Sequence, residues 1–130
     1  MSQRLSLTAL LVRDYDEAID FYVRKVGFEL REDTDQGGGK RWVVVRGEDG
    51  GGLLLARAVN DRQRAAIGDQ FGGRVGLFAY TNDFESTCSR LMAAGATFEE
   101  QPRNESYGTV AVFRDLYGNR WDLIEGRPQQ

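Results

Sequence analysis

Histidine is absent from this 130-residue chain, and cysteine occurs once. The first absence removes the commonest transition-metal ligand and the commonest general acid–base group together. The second rules out a disulfide framework, because a single thiol has no partner within the chain. Long apolar runs are also missing: nothing approaches the roughly 20 residues that span a bilayer, which excludes a membrane-spanning helix. Nor is there an excess of one charge. Lys and Arg number 17 against 20 Asp and Glu, a net charge of −3, with both signs mixed along the sequence. No basic surface is offered to phosphate backbones, so nucleic acid is not an expected partner. Met1-Ser2-Gln3-Arg4 leads into a strand-like segment without the apolar core of a signal peptide, and a cytoplasmic protein is the expectation.

What is present suits one folded domain over 1–130, since domains cluster near about 100–150 residues. Hydrophobic residues make up 41% of the chain and glycine contributes 16 positions, many of them punctuating the pattern. Residues 5–12 form an apolar run of strand length, followed by Asp14-Tyr15-Asp16-Glu17, an acidic cap with Glu three residues on. Apolar residues then recur at Tyr15, Ala18, Ile19, Tyr22 and Val26, one buried helix face, and Gly27 supplies the stop. Strands are expected over 28–31, 41–46 and 53–58, separated by Gly37-Gly38-Gly39 and by Glu48-Asp49-Gly50-Gly51-Gly52. These glycine runs read as hairpin turns. They are not phosphate loops, because neither precedes a helix.

The second half repeats this order. A strand over 74–80 meets another cap, Asn82-Asp83-Phe84-Glu85, and a helix with Phe84, Cys88, Leu91 and Met92 on one face. Gly95 ends it. Strands are expected over 97–99, 109–114 and 120–124, the last two joined across Asp115-Leu116-Tyr117-Gly118-Asn119. Sliding the halves by 69 positions superposes the two helix starts. The sequence therefore reads as two β-α-β-β-β modules, about 4–58 and 74–126. The polar stretch 59–73, with a helical turn or two near 62–67, links them.

This order, and the strings Leu11-Val12-Arg13-Asp14-Tyr15-Asp16-Glu17-Ala18-Ile19-Asp20-Phe21-Tyr22 and Phe113-Arg114-Asp115-Leu116-Tyr117-Gly118-Asn119-Arg120-Trp121-Asp122-Leu123-Ile124, resemble the vicinal oxygen chelate superfamily. That group contains glyoxalase I, extradiol dioxygenases, fosfomycin resistance enzymes and bleomycin resistance proteins. The first string is similar to the family's V-x-D-x-x-x-x-x-x-F-Y pattern. The second is similar to D-P-x-G-N-x-x-E-L, with Leu116 where proline is usual. The resemblance implies an α+β fold in which two curved antiparallel sheets, each with a helix outside, enclose a cleft. It also implies that metal-dependent members draw one ligand from the first strand and one from the last strand of each module. Carried onto this sequence, those positions are Leu7, Gly76, Asp122 and either Leu54 or Leu55.

Leucine and glycine side chains offer no lone pair, and one carboxylate cannot hold a transition metal that needs three or four protein ligands. Metal-assisted glyoxalase, dioxygenase or fosfomycin chemistry therefore does not suit this chain, and neither a metal nor another cofactor is expected. Period-2 alternation places Leu7, Ala9 and Leu11, then Gly76, Phe78 and Tyr80, then Arg120, Asp122 and Ile124 on the inner face. Such a face suits a planar or amphipathic organic molecule. Asp122 is the candidate catalytic or hydrogen-bonding residue; its plain alternative is a carboxylate paired with Arg120, Arg114 or Arg57. Tyr107, in the polar stretch 103–108, is a candidate to close over one end of the site. Trp121 should point to the helix layer, Trp42 has no assignable facing, and Cys88 reads as a buried structural thiol.

The expected function is metal-independent binding of a small organic molecule, aromatic ones included, at Leu7, Gly76, Phe78, Tyr80, Tyr107, Arg120 and Asp122. Two enzyme readings stand beside it: a glyoxalase- or dioxygenase-like catalyst, and a metal-free isomerase or lyase using Asp122. The resemblance further implies a homodimer.

Overall fold

The computed structural model describes residues 2–126. The chain folds as two compact units, Met1–Ile67 and Gly68–Gln130, with the boundary inside the expected link. The expected domain extent of 1–130 includes residues 1 and 127–130, which lie outside the described residues.

The first unit opens with β1 (Leu7–Val12), where Leu10 and Val12 are fully buried and Ala9 beside them is exposed. Asp14 caps the helix as the sequence implies: its carboxylate accepts the Glu17 N–H at 2.8 Å. The helix is regular only over α1 (Tyr15–Ile19) and continues directly as a π-helical turn, Asp20–Lys25, in which the Val26 N–H bonds the Phe21 carbonyl at 2.8 Å. A π-turn accommodates one extra residue in a helix. That residue is visible in the repeat: Asp14 and Asp83 are 69 positions apart, whereas the terminating Gly27 and Gly95 are 68 apart. The wider turn also brings Phe21 inside beside Tyr22, which the 3.6-residue period does not foresee.

β2 (Glu29–Asp35), β3 (Arg41–Arg46) and β4 (Gly52–Arg57) complete a four-stranded sheet in the order β1-β4-β3-β2. β2 runs four residues further than expected because its pairing with β3 persists to Asp35 opposite Arg41. The hairpin then closes through Gly37, Gly38 and Gly39, all at positive φ, with the Asp35 carboxylate accepting the Gly37 N–H. Every residue of β2 is exposed, and its charges protect the sheet edge from unwanted pairing. The face carrying Leu10, Val12, Val43, Val45 and Leu55 packs under the helix. Arg41 and Arg57 both lie over the Tyr15 ring, at 5.2 and 5.4 Å, on that same side. A short helix, α2 (Asp61–Ala66), follows, one position earlier than the sequence suggests because Asn60 caps it through the Gln63 N–H.

The second unit is a five-stranded sheet built from β5 (Val75–Tyr80), β6 (Thr97–Phe98), β7 (Arg103–Glu105), β8 (Gly108–Arg114) and β9 (Arg120–Gly126), with α3 (Phe84–Ala93) after β5. The strand order is β5-β9-β8-β6, and β7 pairs with β8. Two expectations are corrected here. The sheets are mixed rather than wholly antiparallel, since β1 joins β4 and β5 joins β9 in parallel. An even number of chain reversals separates the first strand from the last in each unit, so the two run in the same direction when they pair. The polar stretch at 103–108 is also not an open loop: β7 pairs with β8 from Arg103 opposite Val110 to Glu105 opposite Gly108, leaving Ser106 and Tyr107 as a two-residue turn.

On α3, Phe84 and Leu91 are buried as expected, but Met92 is 56% exposed, because ten residues leave only a narrow buried stripe. Cys88 is half-buried, and burial followed by the Glu85 charge pushes its thiol pKa up, which keeps it protonated and unreactive. The turn before β9 is held by Asp115. Its buried carboxylate accepts the Tyr117 and Asn119 N–H groups, the Asn119 amide and the Trp121 indole N–H, the last at 2.9 Å. Trp121 stacks on Phe113 at 5.6 Å and faces the helix layer, as expected.

Candidate functional site

The register of the second sheet decides what stands beside Asp122. Phe78 pairs with Asp122 and Tyr80 with Ile124 across the β5/β9 ladder, while Val112 and Val110 occupy the corresponding places on β8. Directly paired residues share a face, so these six side chains lie on the face turned away from α3. Val110, Val112 and Ile124 are buried, whereas Phe78 is 60% exposed and Tyr80 72% exposed. The result is a buried apolar floor that shares its face with two exposed aromatic rings and with a half-buried carboxylate next to Phe78.

Asp122 is not paired with Arg120, Arg114 or Arg57, the partners its plain alternative names. Arg120 donates through Nε and Nη2 to both Glu99 oxygens, each at 2.9 Å, and through Nη1 to the Gly73 carbonyl. Arg114 Nε also turns to Glu99, at 2.8 Å. Arg57 lies in the first unit against Tyr15. Glu99, hydrogen-bonded by Arg120 and reinforced by the Arg114 charge, is held below its ordinary carboxyl pKa of 4.5. Asp122 acts on Arg120 only through space. Among the described residues, no hydrogen bond or ion pair reaches the Asp122 carboxylate.

Gly76 is not on a regular inner-face position. The ladder shifts register between Val75 and Leu77, making Gly76 the extra residue of a bulge. A Cβ there would overlap Cγ of Phe71, so the Phe71 ring covers its Cα directly. Phe71 is not among the residues that the sequence singles out; its only signal is a single large aromatic inside a polar, glycine-rich link. The Tyr80 ring and the Tyr107 backbone both approach Gly126 at the far end of the strand. A Cβ on Gly126 would lie 3.3 Å from the Tyr80 ring and 3.9 Å from the Tyr107 carbonyl oxygen. Tyr107 itself is 51% exposed in the β7–β8 turn.

Leu7 belongs to the first unit, where Leu7, Ala9 and Leu11 share the face away from the helix. Ala9 pairs with Leu54, and Leu54 with Val44, while Leu55 is fully buried against the helix side. Leu54 is therefore the counterpart of Asp122, and Trp42, two residues before Val44, lies on that same outward face. The family metal positions can now be tested against their surroundings. Leu7 and Leu54 carry hydrocarbon, Gly76 lies beneath the Phe71 ring, and only Asp122 has an oxygen to offer. These residues do not fit a metal. Among the described residues, no three His, Cys, Asp or Glu side chains come together as a metal-ligating group.

A cavity of about 70 Å³ lies in the second unit against Asp69, Phe71, Arg74, Arg114, Asn119 and Arg120. It is bounded by the Glu99-paired arginines and differs in character from the aromatic face.

Comparison with known proteins gives three kinds of match. The family model described as Glyoxalase/Bleomycin resistance protein/Dioxygenase superfamily matches residues 4–123. An uncharacterized protein of Shewanella frigidimarina is 52% identical over 133 residues, covering 100% of this chain and 98% of that protein. Among solved structures, UcmS2 superposes with a TM-score of 0.79 at 32% identity, covering 97% of this chain and 100% of that one. TnmS3, described as an antibiotic binding protein from Streptomyces sp. CB03234, superposes with a TM-score of 0.76 at 29% identity, covering 97% and 98%.

Proposed function

We infer that this chain, which belongs to the Glyoxalase/Bleomycin resistance protein/Dioxygenase superfamily, binds a small organic molecule without a metal, on the β5/β9 face of its second unit. The observation that carries this reading is the pair Phe78 and Tyr80. They remain 60% and 72% exposed on a sheet face whose other apolar side chains, Val110, Val112 and Ile124, are buried. Water-exposed rings on a rigid floor supply stacking surface at little ordering cost, because the strands already fix their backbones. TnmS3 supports the reading, since a protein of the same fold over nearly its whole length is described as antibiotic binding. The role is sequestration rather than turnover. Phe78, Tyr80 and Asp122 make the direct contacts, with Tyr107 at the end of the face. Arg120 acts by keeping Glu99 occupied, and Gly76 by admitting the Phe71 ring that walls one end.

Following the family resemblance, the protein acts as a homodimer. No helix among the described residues is long and apolar enough to cross a membrane. Sedimentation at two protein concentrations checks the dimer. The binding itself is tested by a thermal-shift screen of planar aromatic compounds. A ligand present at 100 times its dissociation constant stabilises the folded state by about 2.7 kcal/mol. The expected hits lose their shift in Phe78→Ala and Tyr80→Ala. Hits that shift the variants as much as the wild type place the ligand elsewhere and end this reading.

A further inference from the structure

The geometry points to a specific ligand class for this face: planar aromatic molecules carrying a cationic nitrogen, with the ring on Phe78 and Tyr80 and the charge on Asp122. The inference rests on the β5/β9 face being the ligand site. Its own support is the state of the carboxylate. Asp122 stands beside Phe78 in register and is half-buried. Other acidic groups of the unit are answered within the fold. Asp115 takes donors from its turn and from Trp121, Glu99 takes Arg120 and Arg114, and Glu125 accepts the Phe84 N–H at 2.8 Å. Asp122 has none of this.

Two cations share the face, and both are committed. Arg120 and Arg114 sit opposite each other across β9 and β8 and converge on Glu99. The surplus positive charge of that trio lies towards Arg114, whose side chain is 50% exposed and therefore screened by water. A partly dehydrated carboxylate without a partner is most improved by a donor that brings its own charge, because charge-assisted hydrogen bonds are about twice as strong as neutral ones. Neighbouring aromatic faces favour the same choice, since a cation within about 6 Å of a ring centroid is attracted by its quadrupole. A neutral aromatic gains only the stacking, and an anionic one meets Asp122 with like charge.

Three probes of one shape separate these terms: 9-aminoacridine, a cation at pH 7.5, neutral acridine, and anionic acridine-9-carboxylate, each titrated by fluorescence against the full chain. The cation should bind about 10- to 100-fold more tightly than the neutral ring, the range set by a hydrogen bond to a charged group. The anion should bind most weakly. Asp122→Asn, which keeps size and shape, should bring the cation to within about twofold of acridine when both are measured on that variant. Asp49→Asn, the same charge change at an exposed turn, should preserve the full gap and so controls for net charge. Equal wild-type affinities for the cation and the neutral ring overturn the cationic assignment without any variant, as does a gap that survives Asp122→Asn. Failure of all three probes to bind overturns the ligand-site reading itself, so the two failures are distinguishable.

Discussion

The two units share an order of elements, an aspartate cap and a parallel closing strand, yet they use their sheets in opposite ways. In the first unit the helical segment is the heavy side: Tyr15, Ala18, Ile19, Phe21 and Tyr22 are all buried, and the outward face of the sheet is largely aliphatic at Leu7, Ala9 and Leu54. In the second, α3 buries only Phe84 and Leu91, and the core moves into the β8–β9 hairpin with Val110 to Phe113, Trp121 and Leu123. The outward face there carries Phe78, Tyr80 and Asp122. Duplicated topology therefore does not duplicate the surface. The first unit buries Tyr15, Phe21 and Tyr22 with its helix and leaves only Trp42 half-buried on the outward face, whereas the second buries Phe84, Phe113 and Trp121 and also exposes Phe78 and Tyr80 outward.

The tryptophans give the largest test of this contrast. Trp121→Ala should cost about 3–5 kcal/mol in urea unfolding, because it opens the hairpin core and strips a donor from Asp115. Trp42→Ala, on the outward face of the first sheet, should cost about 1–2 kcal/mol, the worth of a partly buried side chain. Equal costs would overturn the assignment of a hairpin core to one unit and a helix-side core to the other.

Next in size are the counterparts Leu7 and Gly76. Gly76→Ala should destabilise by about 1–3 kcal/mol through overpacking against Phe71, and the penalty should largely disappear when measured in a Phe71→Ala background. Leu7→Ala should show no dependence on Phe71. Coupling of Leu7 to Phe71 would undo the contrast between the two first strands.

Acid probes the two units in parallel, since each has one carboxylate held down by arginine. Glu99 is lowered by Arg120 and Arg114, and Asp33 by Arg41. A depressed folded-state pKa contributes stability above the ordinary value, and that contribution fades as pH falls through the folded value. Glu99→Gln and Asp33→Asn should therefore each lower stability at neutral pH and flatten its loss in acid, as measured by urea midpoints at successive pH values. A variant with an unchanged acid limb would show that its ion pair is not made in solution. The smallest effect belongs to Met92→Ala. Its side chain is exposed, so the change should remain within about 0.5 kcal/mol.

Much of the fold is legible in residue order. Asp14 and Asp83 announce both helix starts, the glycine run at 37–39 announces its hairpin, and the Asp115–Asn119 string announces a turn. These signals are local: each depends on a side chain reaching a backbone group within four residues. What escapes reading depends on partners distant in sequence. β2 is longer than its pattern suggests because its charged residues have no apolar period and are held only by β3. The strand at Arg103–Glu105 escapes for the same reason. The π-turn is hidden because one inserted residue disturbs a period without abolishing it. At the site, the alternation of Phe78, Tyr80 and Asp122 is visible, but the diversion of Arg120 and Arg114 to Glu99 is not.

The doubled β-α-β-β-β plan and the lack of metal ligands at Leu7 and Gly76 are written in residue order alone, because caps, glycine stops and side-chain chemistry act where they stand. It took the folded chain to show that Asp122 has no partner among the described residues, that Leu54 rather than Leu55 is its counterpart, and that Phe71 fills the space over Gly76. Charge pairing, sheet register and steric contact belong to neighbours that the chain brings together only on folding.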